Sequence, residues 1–229
     1  MAKPEGAAGM RCFSSAHYDL HFFPGSLAEK EIESIAEKQE TCWAAITKTL
    51  GVTPPFRIQY YLLDTPQEVS RVYGDNEPCN GFASPPDTVF AVYNDKVKCI
   101  GMHEDTHLIS YVRSRPDPAF LREGLAMYMD RVWWNRPNEA WVKDFLADGR
   151  YLPVPALLEN DRFYAYPDAI TYPIAGAFTR FLAEKLGMRE YLERVYYSKQ
   201  KAQDAIEAAL GLPPREWDGA FRAWIDKSH

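Results

Sequence analysis

Residues 98–114 decide the interpretation of this chain, and they read KCIGMHEDTHLISYVRS. At helical spacing, two histidines and a glutamate of this segment occupy positions that a helix normally fills with apolar residues. Burying an uncompensated carboxylate costs roughly several kcal/mol, so such a stripe calls for a compensating positive charge. A divalent metal ion is the simplest one. The predicted stripe comprises Ile100, His103, Glu104, His107, Leu108 and Tyr111.

The two histidines are four residues apart, at 103 and 107. Residues four apart on a helix lie one turn above each other, so two imidazoles at this spacing can chelate one tetrahedral Zn²⁺. Glu104 then projects beside the metal, where it can accept a proton from an attacking water. The pattern predicts His103 and His107 as zinc ligands and Glu104 as the general base.

A third ligand is expected on the following helix, where residues 118–130 read PAFLREGLAMYMD. Prolines at 116 and 118 break the chain and permit an antiparallel return, which presents Glu123 to the same ion. Gly124 and Ala126 beside it leave room for two helices to approach closely. Taken alone, Glu123 is more simply a surface charge; in this context we predict a metal ligand.

The combination of HEDTH with the later EGLAMY resembles the gluzincin clan of zinc metallopeptidases, in its compact peptidase-MA-like branch. The resemblance implies a zincin-like fold, zinc as the cofactor and hydrolysis of a peptide or protein substrate. It also implies the same ligand set, His103, His107 and Glu123, with Glu104 as the base. Fifteen residues separate His107 from Glu123, which is shorter than in the clan's best-known enzymes.

Two flanking segments extend the resemblance. Residues 88–93, TVFAVY, are similar to the edge strand that pairs with extended substrate in this clan, and residues 171–187 resemble its later helix. A tyrosine of that helix often donates a hydrogen bond to the oxyanion, and Tyr172 is the matching position, with Tyr166 as the competing one. Each is equally consistent with a core aromatic side chain.

The chain also departs from the clan pattern. The Gly-x-Met-x-Asn segment of its aminopeptidase branch does not precede the motif, which favours an endopeptidase or an unusual specificity. Asp105 and Asp130 are the candidates for the carboxylate that orients a ligand histidine through its second nitrogen.

Two other functions remain compatible with the sequence. The first keeps the metal site in a non-peptidase hydrolase, or in a protein that acts mainly by binding; an intact Glu104 favours catalysis. The second is a metal-free helical interaction domain whose histidines are incidental. The aromatic pairs Trp133-Trp134 and residues 163–166 line a groove under one interpretation and pack a core under another.

The expected fold class is α+β, a single domain over residues 1–229 with an α/β part at 11–97 and a helical, metal-binding part at 98–229. Strands are predicted near 16–22, 57–63 and 88–93, with an irregular loop at 75–87. His17, Asp19 and His21 share one strand face, more simply solvated than metal-binding. Helices are predicted at 26–51, 66–74, 117–134, 140–147 and 172–186, followed by two or three more.

Composition limits the partners. The net charge of −6 comes from 26 basic and 32 acidic residues without a basic cluster, so nucleic acid is not expected. No apolar run is long enough for a membrane span. We expect a soluble protein, cytoplasmic by default and secreted if its natural precursor has a signal peptide. Oligomeric state and disulfide pairing stay open; the cysteines are Cys12, Cys42, Cys79 and Cys99.

Overall fold

The computed structural model describes residues 8–74 and 77–228. They form an α+β arrangement with a five-stranded sheet, a two-stranded hairpin and many helices, in the fold class that the sequence predicts. The described chain divides into two compact units, with the boundary after Val112. None of the helices in the described ranges combines the length and the apolar character needed to cross a membrane.

The first unit contains a five-stranded mixed sheet in the order β1-β2-β3-β5-β4. The three central strands are parallel to one another, whereas β1 and β4 are antiparallel to their neighbours. The predicted strands are thus confirmed, with two further ones at the edges. Their bounds are β1 Arg11–Ser14, β2 Tyr18–Phe22, β3 Ile58–Leu63, β4 Gly81–Ser84 and β5 Thr88–Val92.

Strand β4 corrects two predictions. It lies inside the segment 75–87 that was expected to be an irregular loop, and it covers β5, which was expected to be the edge strand. The edge on this side of the sheet is therefore β4. The physical reason is a cross-strand contact, since Phe82 of β4 stacks on Phe90 of β5 with ring centroids 5.0 Å apart.

A ladder of stacked rings crosses four neighbouring strands. His21 stacks on Tyr61 at 4.3 Å, Tyr61 on Phe90 at 5.0 Å, and Phe90 on Phe82 at 5.0 Å. Each pair consists of direct partners in the strand register. Such pairs stabilise a sheet and specify its register. The strand face around His21, predicted to be solvated, is therefore partly covered.

Four helices accompany this sheet: α1 Leu27–Lys30, α2 Ile32–Leu50, α3 Pro66–Tyr73 and α4 His103–Tyr111. A capping box is present at Thr65 and Glu68, and the Ser26 side chain accepts a hydrogen bond from the Glu29 amide. The single helix predicted from 26 to 51 is divided at Glu31. Helix α4 packs on α2, β4 and β5, so the motif helix belongs with the sheet.

The second unit is almost entirely helical, with α5 and α6 packed on the long helix α9. The elements are α5 Ala119–Asp130, hairpin strands β6 Val132–Trp133 and β7 Arg136–Pro137, α6 Asn138–Asp148, α7 Val154–Leu157, α8 Asn160–Tyr164, α9 Asp168–Leu186, α10 Met188–Tyr191, a π-helical turn Leu192–Tyr196, α11 Ala202–Leu210 and α12 Pro214–Lys227. The helix predicted to reach 134 ends instead at Asp130, and the next residue, Arg131, has a φ of 66° in the left-handed region.

The start of α5 differs from the prediction, and a glycine within α5 allows close packing. The helix predicted from 117 begins at Ala119, with Pro118 in the N-cap position, and the Ala119 amide donates to Oδ1 of Asn160 at 2.7 Å. Gly124 lies in the same helix, directly after Glu123. A β-carbon there would meet Thr179 Oγ1 at 2.6 Å, so this glycine permits close packing on α9.

Candidate metal centre

Helix α4 begins at His103, so the two histidines predicted as ligands occupy its first two turns. His107 is buried, whereas His103 and Glu104 are half-buried. The rings of His103 and His107 lie 5.1 Å apart at an interplanar angle of 82°. This is the one-turn separation that chelation by two imidazoles requires.

The three side chains predicted as ligands come together. His103, His107 and Glu123 each offer one ligand atom, and these three atoms all lie within 4.8 Å of one another. Zinc binds imidazole nitrogen and carboxylate oxygen at about 2.0–2.2 Å, so ligand atoms at such separations are compatible with one shared ion. Two histidines and one glutamate are also a donor set that catalytic zinc sites use. The residues therefore fit the ion that the sequence predicts.

Asp168, the first residue of α9, adds a carboxylate that the sequence analysis missed. Burial, and after it the negative charge of Glu123, raise the pKa of Asp168 above its ordinary value. Two acidic side chains therefore repel each other in this part of the second unit, and a bound cation would relieve that repulsion. The only sequence signal for Asp168 is that acidic residues are favoured at the start of a helix.

Tyr111 is the second residue that the sequence analysis did not assign to the site. Its hydroxyl lies 3.3 Å from Nδ1 of His107, one helical turn away. A partner on one imidazole nitrogen fixes the ring and leaves the other nitrogen for a metal. The spacing of four residues between His107 and Tyr111 would have been enough to find this contact.

The two carboxylates predicted to orient the histidines have different surroundings. Asp105 is fully buried, and its Oδ2 accepts hydrogen bonds from the Tyr18 hydroxyl at 2.5 Å and from Nε2 of Gln39 at 2.9 Å. These partners belong to β2 and α2, and they tie α4 to the sheet. Asp130 is half-buried at the end of α5, and its predicted role stays a prediction.

Tyr172 lies in the first turns of α9 and is half-buried. Its ring is 5.5 Å from that of Trp133 and 5.8 Å from that of Phe163. Tyr166, the competing candidate, is 37% exposed. Tyr172 therefore contacts one residue from each of the two aromatic segments noted in the sequence. Its role at the oxyanion stays a prediction.

Comparison of the chain with protein-family models and with curated protein sequences gave no match.

Proposed function

We propose that this protein is a zinc-dependent peptide hydrolase of the gluzincin type with a zincin-like fold. The observation that carries the proposal is the convergence of His103, His107 and Glu123, whose ligand atoms lie within 4.8 Å of one another. Glu104 follows the first of these residues on the same helix. A site for binding alone would have no need of a base at that position.

The proposed ion contributes one kind of chemistry. When bound by His103, His107 and Glu123, zinc would act as a Lewis acid that activates water and polarises a carbonyl group. Three protein ligands are typical of catalytic zinc sites, which keep one position for water or substrate, whereas structural sites have four.

The protein's own side chains perform the proton transfers and the positioning. Glu104 accepts a proton from the attacking water and passes it to the leaving amine. It is half-buried, which keeps it within reach of both water and substrate. The Tyr111 contact holds the ring of His107 in place. Tyr172 donates a hydrogen bond to the oxygen that develops negative charge.

A peptide is the proposed substrate class because the first unit offers a sheet edge beside the motif helix. Strand β4 is the last strand on its side of the sheet, and it packs against α4. An extended peptide can add to such an edge through its backbone hydrogen bonds. The substrate-binding role expected for residues 88–93 is therefore reassigned to β4.

The first experiment measures zinc by mass spectrometry on protein purified without a metal-affinity resin, with His103→Ala as the matched variant. About one zinc per chain, lost in the variant, is the result expected for a site with three protein ligands. A peptide library is then digested with the zinc-loaded protein. Zinc binding without peptide cleavage would favour the non-peptidase alternative, and no zinc uptake by either protein would refute the proposal.

A further inference from the structure

Gln39 is a fully buried polar residue on α2 whose side chain contacts two points of the segment that carries the proposed ligands. Its Nε2 donates to the carbonyl oxygen of Gly101 at 3.2 Å and to Oδ2 of Asp105 at 2.9 Å. One amide group therefore bridges the turn before α4 and the first turn of that helix. Both bonds use the same nitrogen, so the orientation of the amide is fixed.

This arrangement has a cost in stability. Oε1 of Gln39 is buried and has no hydrogen-bond partner among the described residues. An unsatisfied buried acceptor is destabilising, whereas an apolar side chain of the same size would avoid that penalty. Stability alone therefore favours leucine or methionine at this position, and the two hydrogen bonds of Nε2 need another explanation.

Asp105 lies on the face of α4 opposite to the two histidines. It lies two residues after His103 and two before His107, which places it about 160° around the helix from each of them. Its carboxylate accepts hydrogen bonds from both Gln39 and Tyr18, and all three residues are fully buried. Because these hydrogen bonds hold one face of the helix, they also fix the direction in which the opposite face presents the two imidazoles.

The connection that leads into α4 is held from the same side. Lys38 Nζ donates to the carbonyl oxygen of Ile100 at 3.3 Å, and the Tyr60 hydroxyl donates to that of Cys99 at 3.4 Å. One step earlier, Lys98 forms an ion pair with Glu31 at 2.7 Å. Helix α2 and the sheet thus contact the chain repeatedly up to the start of the motif helix.

We infer that Gln39, together with Tyr18, is a positioning residue that fixes the rotation of α4 through Asp105 and so presets the geometry of His103 and His107. The inference rests on the proposed metal centre, because it assigns the preset geometry to metal binding. Residues around metal ligands commonly change metal affinity by about 10–100-fold when they are replaced.

The test uses the full chain and compares wild type with Gln39→Met, which keeps the length of the side chain and removes its N–H groups. Co²⁺ is the probe, because its visible absorption reports coordination geometry. We expect Gln39→Met to weaken Co²⁺ binding by about tenfold or more and to change the visible spectrum. Gln59→Met is the matched control: Gln59 bonds to His21 and Asp19, so its replacement should leave both readouts unchanged.

Amide hydrogen exchange of residues 103–111 in the metal-free protein separates this inference from the proposed function. Faster exchange in Gln39→Met than in Gln59→Met is expected. Equal exchange, or Co²⁺ binding equal to wild type, would overturn the positioning role and leave the metal centre standing. If wild type binds no Co²⁺, the proposed function fails and the inference fails with it. Tyr18→Phe, which removes one hydroxyl, repeats the comparison if Gln39→Met does not fold.

Discussion

Gly176 of α9 lies directly against the side chain of Asn138. A β-carbon built on Gly176 would be 2.5 Å from Nδ2 of Asn138 and 2.7 Å from Cβ of Met127. Nδ2 itself donates to the carbonyl oxygen of Met127 at 3.0 Å. The place where α5 ends and α6 begins therefore fits against α9 only if position 176 carries no side chain.

Gly176→Ala should destabilise the protein by about 1–3 kcal/mol, because the added methyl group overpacks this contact. Gly219 in α12 is the matched control, since a β-carbon there would meet nothing within 4 Å. Gly219→Ala should stabilise by about 0.5–1 kcal/mol through the lower helix propensity of glycine. Urea unfolding measures both changes, and equal effects of the two variants would contradict the packing argument.

Glu104→Gln should lower kcat for peptide hydrolysis by about 10²–10⁴-fold, because glutamine cannot accept the proton of the attacking water. Zinc content should stay at the wild-type value, since Glu104 is not among the three converging ligand residues. Hydrolysis and bound metal are measured on the same preparation. Retention of full activity by the variant would exclude Glu104 as the base.

Tyr172→Phe should reduce kcat by about 10²–10³-fold if its hydroxyl stabilises the developing oxyanion. Tyr166→Phe, in which the exposed alternative loses its hydroxyl, should keep the wild-type rate. Steady-state kinetics on one peptide decides between the two tyrosines. The opposite ranking would transfer the role to Tyr166, and normal rates in both would remove tyrosine from the mechanism.

Asp19 gives a prediction on acid stability. Hydrogen bonds from Arg57, at 2.9 Å to Oδ1 and 3.2 Å to Oδ2, are the main cause that holds the pKa of this carboxyl below its ordinary value. Because the folded-state pKa is the lower one, the stabilisation is complete above the unfolded value of about 3.9 and is lost as the pH falls below it.

Arg57→Met should therefore destabilise the protein at neutral pH, with a difference from wild type that shrinks as the pH falls below about 4. Chemical denaturation at several pH values measures this change. Asp19→Asn serves as the control, since adding Arg57→Met to it should cost less than the same change in wild type. A difference that does not depend on pH would show that the Arg57 side chain acts instead through its hydrogen bonds to backbone carbonyl oxygens.

Features that depend on residues close together in the chain can be predicted from the sequence. Thr65 and Glu68 form their capping box within one turn, and Gly51 ends α2 in the left-handed conformation that glycine adopts without strain. The rings of His103 and His107 lie 5.1 Å apart on α4, because residues four apart on a helix share one face. These features depend on neighbours within a few residues or on one helical period.

The missed features depend on contacts between distant segments. Strand β4 has four residues, and its pairing with β5 is supported by the stacking of Phe82 on Phe90. Asp105 is fully buried, and its hydrogen-bond partner Tyr18 precedes it by 87 residues. Asp117 has a side chain that can cap a helix, but the Asn160 side chain of α8 accepts the hydrogen bond from the first amide of α5. No local pattern contains these contacts.

The cap of α5 has a consequence for the order in which the newly synthesised chain can mature. Ala119 and the Asn160 side chain that accepts its hydrogen bond are 41 residues apart. At ribosomal speeds of about 5–20 residues per second, roughly 2–8 seconds pass between the synthesis of the two residues. The helix that carries Glu123 therefore leaves the ribosome with its first turn unfinished, and a nascent chain halted before Asn160 would lack this cap.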